Sequence, residues 1–209
     1  TSFGTSAILT EVPEMFGAET LLMQRCKNRE TFDKCVDMIN SFKQYFFSHN
    51  QECYENPSPG NHDGGITTLE EKSLGCIQKG GKAIITDILK YGEHCKKPGL
   101  SLLTGPGNDI VSVTNLTAAG ANIILFTTGR GTPLGAPVPT VKISSNSSLY
   151  KRKSNWIDFN AGELINNRDF ENITEEILNL VIEVASGKKT KNEINSYRDI
   201  SIFKDGVIM

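Results

Sequence analysis

The sequence has little of what marks the special classes of protein. No apolar run approaches the roughly 20 residues needed to cross a bilayer, and no secretory leader pattern opens the chain. A cytoplasmic protein with no membrane partner is the expectation. Charge of either sign is not in excess: 22 Lys and Arg stand against 24 Asp and Glu. That balance offers nothing to a nucleic-acid backbone, and the short clusters Lys151-Arg152-Lys153 and Lys188-Lys189 read as solvated surface. Histidine is scarce. His49, His62 and His94 lie far apart without ligand spacing, which argues against a self-contained zinc site. The five cysteines are odd in number and include no CxxC pair, so reduced thiols fit better than a disulfide framework. Neither GxGxxG nor GxxxxGK[ST] is present; Gly129-Arg-Gly131 lacks the third glycine, and Pro133 blocks an immediate helix. No nucleotide cofactor is expected. A strand-like run so soon after Thr1, with no initial Met, reads as a piece of a longer protein.

What is present is the patterning of an α/β domain. Apolar runs at Thr5–Thr10, Ala83–Thr86, Leu100–Thr104, Asn122–Thr128, Val138–Ser144 and Trp156–Phe159 read as strands. Helical periodicity lies between them: Ala18 to Cys26, Phe32 to Phe46, and Ile173 to Ala185 ending at Gly187. Thr68-Leu-Glu-Glu71 and Asn172-Ile-Thr-Glu175 both look like capping boxes. Alternation of apolar strands with helices predicts a mostly parallel sheet covered by helices. The expected organisation is one α/β domain over residues 1–187, with a tail, 188–209, packed on it.

In such sheets ligands bind beyond the carboxyl ends of the strands. Four turns there are rich in small and polar residues. Gly105-Pro-Gly-Asn-Asp109 combines flexible backbone with a helix start, which suits an anion and equally an Asn or Asp cap. Thr127-Thr-Gly-Arg-Gly-Thr132 brings two or more hydroxyls and a guanidinium that can grip a carboxylate, or pair with a local acid. Asn56-Pro-Ser-Pro-Gly-Asn61 is stiffened by proline and carries two amides suited to polyol hydroxyls, or serves as a structural loop. Glu11 and Glu14, three apart after the first strand, can face one cleft, although capping also explains Glu14. Lys72 lies in the first turns of the helix opened by Thr68; a desolvated lysine there can act as a base, and a solvated one is only surface.

Together with Gly64-Gly-Ile-Thr-Thr-Leu-Glu-Glu-Lys-Ser-Leu-Gly-Cys76, Leu125-Phe-Thr-Thr-Gly-Arg-Gly-Thr-Pro-Leu-Gly135, Val138-Pro-Thr-Val-Lys-Ile-Ser144, Trp156-Ile-Asp-Phe-Asn-Ala-Gly162 and Ile202-Phe-Lys-Asp-Gly206, these turns resemble the altronate/galactarate dehydratase family, in order and from about Thr5 onward. Tyr54-Glu-Asn-Pro57, Leu69-Glu-Glu-Lys-Ser73, Trp156-Ile-Asp-Phe159 and the Asn192–Gly206 tail lean toward its galactarate branch. Asn160 departs from the family's Asp. The resemblance implies a Rossmann-like variant that forms an incomplete part of a larger domain, without the upstream Gly, Cys and His motifs. It further implies loss of water from a hexonic or hexaric acid, a divalent metal (Fe²⁺, with Mn²⁺ as a substitute), and a homodimer.

On this reading Arg130 and the Gly107, Asn108 and Asp109 turn hold a carboxylate. Asn56, Asn61, Thr128, Gly129 and Thr132 bind the rest of the sugar acid. Lys72, helped by Glu71, moves a proton, and Glu11 is the candidate metal ligand. The alternative is a binding or scaffold module of a larger enzyme, inactive as the isolated chain.

Overall fold

A computed structural model of the chain describes all residues except Ser2, Phe3, Tyr54, Glu55, Asn56, Ser58, Gly64, Asn167, Val207, Ile208 and Met209. The chain groups into two compact units, one made of Thr1–Gly120 with Ile202–Met209, the other of Ala121–Ser201.

The first unit runs β1 (Ser6–Leu9), a 3-10 turn (Val12–Met15), α1 (Glu19–Met23), α2 (Arg29–Ser48), α3 (Pro59–Asp63), α4 (Leu69–Gln78), β2 (Ile85–Leu89), β3 (Gly99–Leu103) and α5 (Asp109–Ala118). Its sheet has the order β1-β3-β2, and every pairing is parallel. The middle strand β3 carries Leu100, Leu102 and Leu103, all buried, as a strand covered on both faces should. Against this sheet pack Val12, Met15 and Phe16 of the 3-10 turn, and Cys35, Ile39 and Phe42 of α2. Burying side chains of this size contributes about 1.5–3 kcal/mol each, so the backbone after β1 is anchored by its own apolar residues.

The second unit runs β4 (Ile124–Thr128), β5 (Thr140–Ser144), α6 (Ser147–Arg152), β6 (Phe159–Asn160), α7 (Phe170–Ala185) and α8 (Lys191–Ile194), with a 3-10 turn at Ala161–Asn166. Its sheet is also parallel, in the order β4-β5-β6. Val141 and Ile143 of β5 pack against Val184, Ile177 and Leu180 of α7.

The α/β class and the parallel strands agree with the sequence pattern. Among the described residues the strands form two parallel triplets, with β3 and β5 each paired on both sides within its own. Two details near the C-terminus change. Asp169, not Asn172, caps α7, accepting the Asn172 amide at 3.4 Å. A capping box that the tail hides in plain view, Thr190 with Glu193, opens α8. Among the described residues no helix is long and apolar enough to cross a membrane.

Candidate active site

The first unit gathers ionisable groups where β1 and β3 end. Three short ties fix the turns. Thr10 Oγ1 donates to Leu103 O at 3.0 Å, Val12 N donates to Gly105 O at 3.0 Å, and Ser112 Oγ of α5 donates to Pro106 O at 2.8 Å. Buried Asn115 reaches back to Thr104 O at 2.9 Å. Gly105 is needed here for space: a Cβ would stand 2.8 Å from Asn115 Nδ2 and 3.0 Å from Thr10 Oγ1.

Glu11, the first residue past β1's end turn, holds φ 70° and ψ 66°. That left-handed conformation costs a non-glycine residue roughly 1–2 kcal/mol, and such strain concentrates at functional sites. Burial, then the neighbouring carboxylates of Asp109 and Glu14, push the Glu11 carboxyl up to about 7; Lys79 and Lys72 pull the other way.

Lys72 and Cys76 are one turn apart on α4 and therefore share a face. Both reach Glu14. Lys72 Nζ lies 2.9 Å from Glu14 Oε1, with the two side chains only 19% and 12% exposed, and Cys76 Sγ donates to Glu14 Oε2 at 3.5 Å. Burial pushes the Cys76 thiol up to about 11. The helix phase that aims these two residues is set by the capping box: Thr68 Oγ1 accepts the Glu71 amide at 3.1 Å.

Glu71 itself is the other half of that box. Its Oε2 accepts from Thr67 N at 2.8 Å, Thr67 Oγ1 at 2.9 Å and Thr68 N at 3.3 Å. Those bonds, the Thr67 amide's first, hold its carboxyl below the ordinary range. Glu71, expected to assist proton transfer, is placed as an exposed capping carboxylate one position before Lys72. Asn108 caps α5, accepting the Val111 amide at 3.4 Å. Gly107 lies beside Glu14; a Cβ there would meet Glu14 Oε1 at 3.6 Å. The Asp109 and Glu14 carboxylates stand close enough to help raise the Glu11 carboxyl, so a further carboxylate on this turn would be repelled. It suits hydroxyls better. Asn61 sits in α3, its carbonyl accepting Ile66 N at 3.0 Å; Asn56 lies outside the described residues.

The second unit carries the other turn at the end of β4. Thr128 Oγ1 accepts the Gly131 amide at 2.8 Å, which folds residues 128–131 into a tight loop. Gly131 has φ +80°, and a Cβ would strike Leu149 and Lys153 at 2.8 Å. Asn146 Nδ2 donates to Gly129 O at 3.2 Å, Lys153 Nζ to Gly131 O at 3.1 Å, and Lys142 Nζ to Thr132 O. Arg130 is exposed. Thr128, Gly129, Arg130 and Thr132 are thus together in one unit, and Glu11, Lys72, Gly107, Asn108 and Asp109 in the other.

Asn160 is explained locally. Its Oδ1 accepts the Gly162 amide at 3.1 Å, and its Nδ2 donates to Ser147 Oγ at 3.0 Å and to Glu163 Oε1 at 3.4 Å. An aspartate could not donate to Glu163 and would repel it.

Among the described residues no three His, Cys, Asp or Glu side chains form a group able to hold a metal ion. Glu11 alone does not make an Fe²⁺ or Mn²⁺ site, which takes several oxygen or nitrogen ligands. These residues do not fit a self-contained metal centre.

The residues missed by sequence reasoning are Cys76, Lys142 and Lys153. Cys76 has a readable signal in its four-residue spacing from Lys72. A lysine inside an apolar strand, as at Lys142, is the signal for the second.

The chain is thus a parallel α/β protein with polar turns at its strand ends and, in the first unit, a half-buried Lys–Glu pair. Comparison with known proteins defines which kind. The family described as D-galactarate/altronate dehydratase, C-terminal, matches residues 1–208, and the chain belongs to that family. It is 55% identical over 206 residues to an altronate dehydratase of Escherichia coli (strain K12), and 57% identical over 207 residues to one of Bacillus subtilis (strain 168). Each match covers 99% of this chain and 42% of the relative. A galactarate dehydratase (L-threo-forming) of Escherichia coli (strain K12) is 34% identical over 188 residues, covering 89% of this chain and 36% of the relative. The lean toward the galactarate branch is thereby corrected: a few short segments do not outweigh identity over the whole length. The chain spans less than half the length of these curated relatives.

Proposed function

We propose that this chain supplies the substrate-gripping and proton-handling part of a sugar-acid dehydratase acting on altronate, galactarate or a related hexonic or hexaric acid. In that reaction the proton next to the carboxylate is removed and the neighbouring hydroxyl leaves as water. The resulting enol then takes up a proton and becomes a keto-deoxy acid. The observation that supports it is the half-buried ion pair of Lys72 with Glu14 beside Glu11, whose carboxyl sits near neutrality. Groups that change protonation near working pH are what general acid–base catalysis needs.

Within this reading Lys72 and Glu14 hold and move the proton, and Glu11 exchanges it with solvent or leaving hydroxyl. In the second unit, taken by itself, Arg130 with the Thr128, Gly129 and Thr132 turn can hold a carboxylate through paired charged hydrogen bonds. Asn61, Asn108 and Gly107 contact hydroxyls.

The test is an enzyme of the relatives' full length that carries this chain, assayed on altronate and galactarate. Lys72→Met should lower turnover at least ~100-fold, the ordinary contribution of a positioned acid or base. Unchanged turnover removes Lys72 from the chemistry. The share of the relatives that the chain spans favours a second reading for the chain alone, a binding module without turnover. Keto-acid formation by the 209-residue chain would overturn that reading.

A further inference from the structure

We propose that Lys142, on the central strand of the second unit, is a positioning residue that holds the Thr128–Thr132 turn in the shape that offers Arg130 and its neighbours to a carboxylate. The proposal rests on the function argued above and deepens it by naming what sets the binding turn.

Lys142 has no accessible surface, and neither do its strand neighbours Thr140, Val141 and Ser144. Burying an amine costs several kcal/mol more than burying a methionine of similar length, so its value lies in what it touches. Its Nζ donates to Thr132 O, at the far end of the turn. It lies 4.6 Å from the ring centroid of Phe126, its register partner on β4, and an aromatic face attracts a cation at that range.

Lys142 is the innermost of three donors that act alike. Asn146 takes Gly129 O, Lys153 takes Gly131 O, and Lys142 takes Thr132 O. In a trans peptide the N–H points opposite to the carbonyl. With the Gly129 and Gly131 carbonyls turned to these donors, the N–H groups of Arg130 and Thr132 are directed away from them. The amide between them, Gly131 N, is taken by Thr128 Oγ1, so Arg130 and Thr132 supply alternate main-chain donors of one fixed turn, the kind of group an anion can use. Asn146 and Lys153 stand on or beside short α6, whereas Lys142 belongs to the middle of a sheet. Precise sites are built on such rigid elements.

Two readouts test this. In the whole 209-residue chain, Lys142→Met should speed hydrogen exchange at the amides of residues 129–132 and 134 about tenfold while β4 and β5 amides keep their protection. Wild-type exchange in the folded variant overturns the proposal. If Lys142→Met does not fold, Lys142→Gln is read by the same criterion. In an active enzyme of the relatives' length, folded Lys142→Met should raise KM for altronate about tenfold and leave kcat within about twofold. A fall in kcat at unchanged KM overturns a positioning role. Arg130→Ala separates the two layers: if it leaves KM unchanged, the carboxylate-binding reading fails, while the exchange result still decides what Lys142 does to the turn.

Discussion

The two polar turns are built from opposite materials. At the ends of β1 and β3 the first unit brings three carboxylates, Glu11, Glu14 and Asp109, near Lys72 and Lys79, and burial first, then the neighbouring acids, push the Glu11 carboxyl up to about 7. At the end of β4 the turn of the second unit is clamped through main-chain carbonyls by an amide and two lysines, and it carries Arg130. Groups that change charge handle protons, whereas groups with fixed charge and fixed backbone bind. The difference teaches that two turns at strand ends in one chain can carry opposite electrostatics, each set by its own neighbours.

The largest test of that contrast is pH. Glu11's folded pKa, about 7, lies above its ordinary 4.5. Below about 4.5 both folded and unfolded chains carry the proton, and stability does not depend on this group. Between 4.5 and 7 the unfolded chain releases the proton and the folded one keeps it. Stability therefore falls as pH rises through this window, by up to about 3 kcal/mol. Glu11→Gln, which is neutral throughout, should flatten that slope. Urea midpoints from pH 4.5 to 8 for both proteins check it, and an unchanged slope would place the titrating group elsewhere.

Much of this arrangement is legible in sequence. The apolar run before Thr128, the amphipathic α2 and the Thr68 capping box all announce themselves because each is decided by residues within a few positions. What escapes is decided at long range. That β3 and β5 each become a central strand depends on pairing partners far along the chain, so one parallel sheet and two look alike as periodicity. Asp169 and Asn172 both offer an acceptor side chain; the earlier one wins because the helix extends back as far as a cap can hold it. Glu71 reads as a neighbour of Lys72 in sequence, and the fold adds that it completes the capping box of the same helix. The site is legible as a set of turns, while Glu14 bridging Lys72 and Cys76 needs the fold to bring residues 14 and 76 together.

A smaller effect sharpens the comparison through glycine. Gly105 sits where an added methyl would stand 2.8 Å from Asn115 Nδ2 and 3.0 Å from Thr10 Oγ1. Both groups are engaged, Asn115 with Thr104 O and the Gly92 amide, and Thr10 with Leu103 O, so neither gives way without losing a hydrogen bond. Gly105→Ala should lower stability by about 2 kcal/mol, read as a shift of the urea midpoint at constant slope.

Gly129, its counterpart in the second unit, should behave otherwise. The nearest atom to a methyl there is Ser145 Oγ at 3.4 Å, an ordinary contact, and Gly129 is not among the residues with positive φ. The backbone already takes a conformation open to alanine, and the mutation removes chain freedom only from the unfolded state. Gly129→Ala should therefore shift stability by less than about 0.5 kcal/mol. If this glycine is retained for the ligand, the same change should weaken substrate binding in an enzyme of the relatives' length, since a methyl beside Arg130 keeps a carboxylate from approaching the backbone. A stable Gly129→Ala variant with raised KM would mark the turn as shaped for binding. An unaltered KM would leave Gly129 without a part in recognition and narrow the binding role to Arg130 and the threonine hydroxyls.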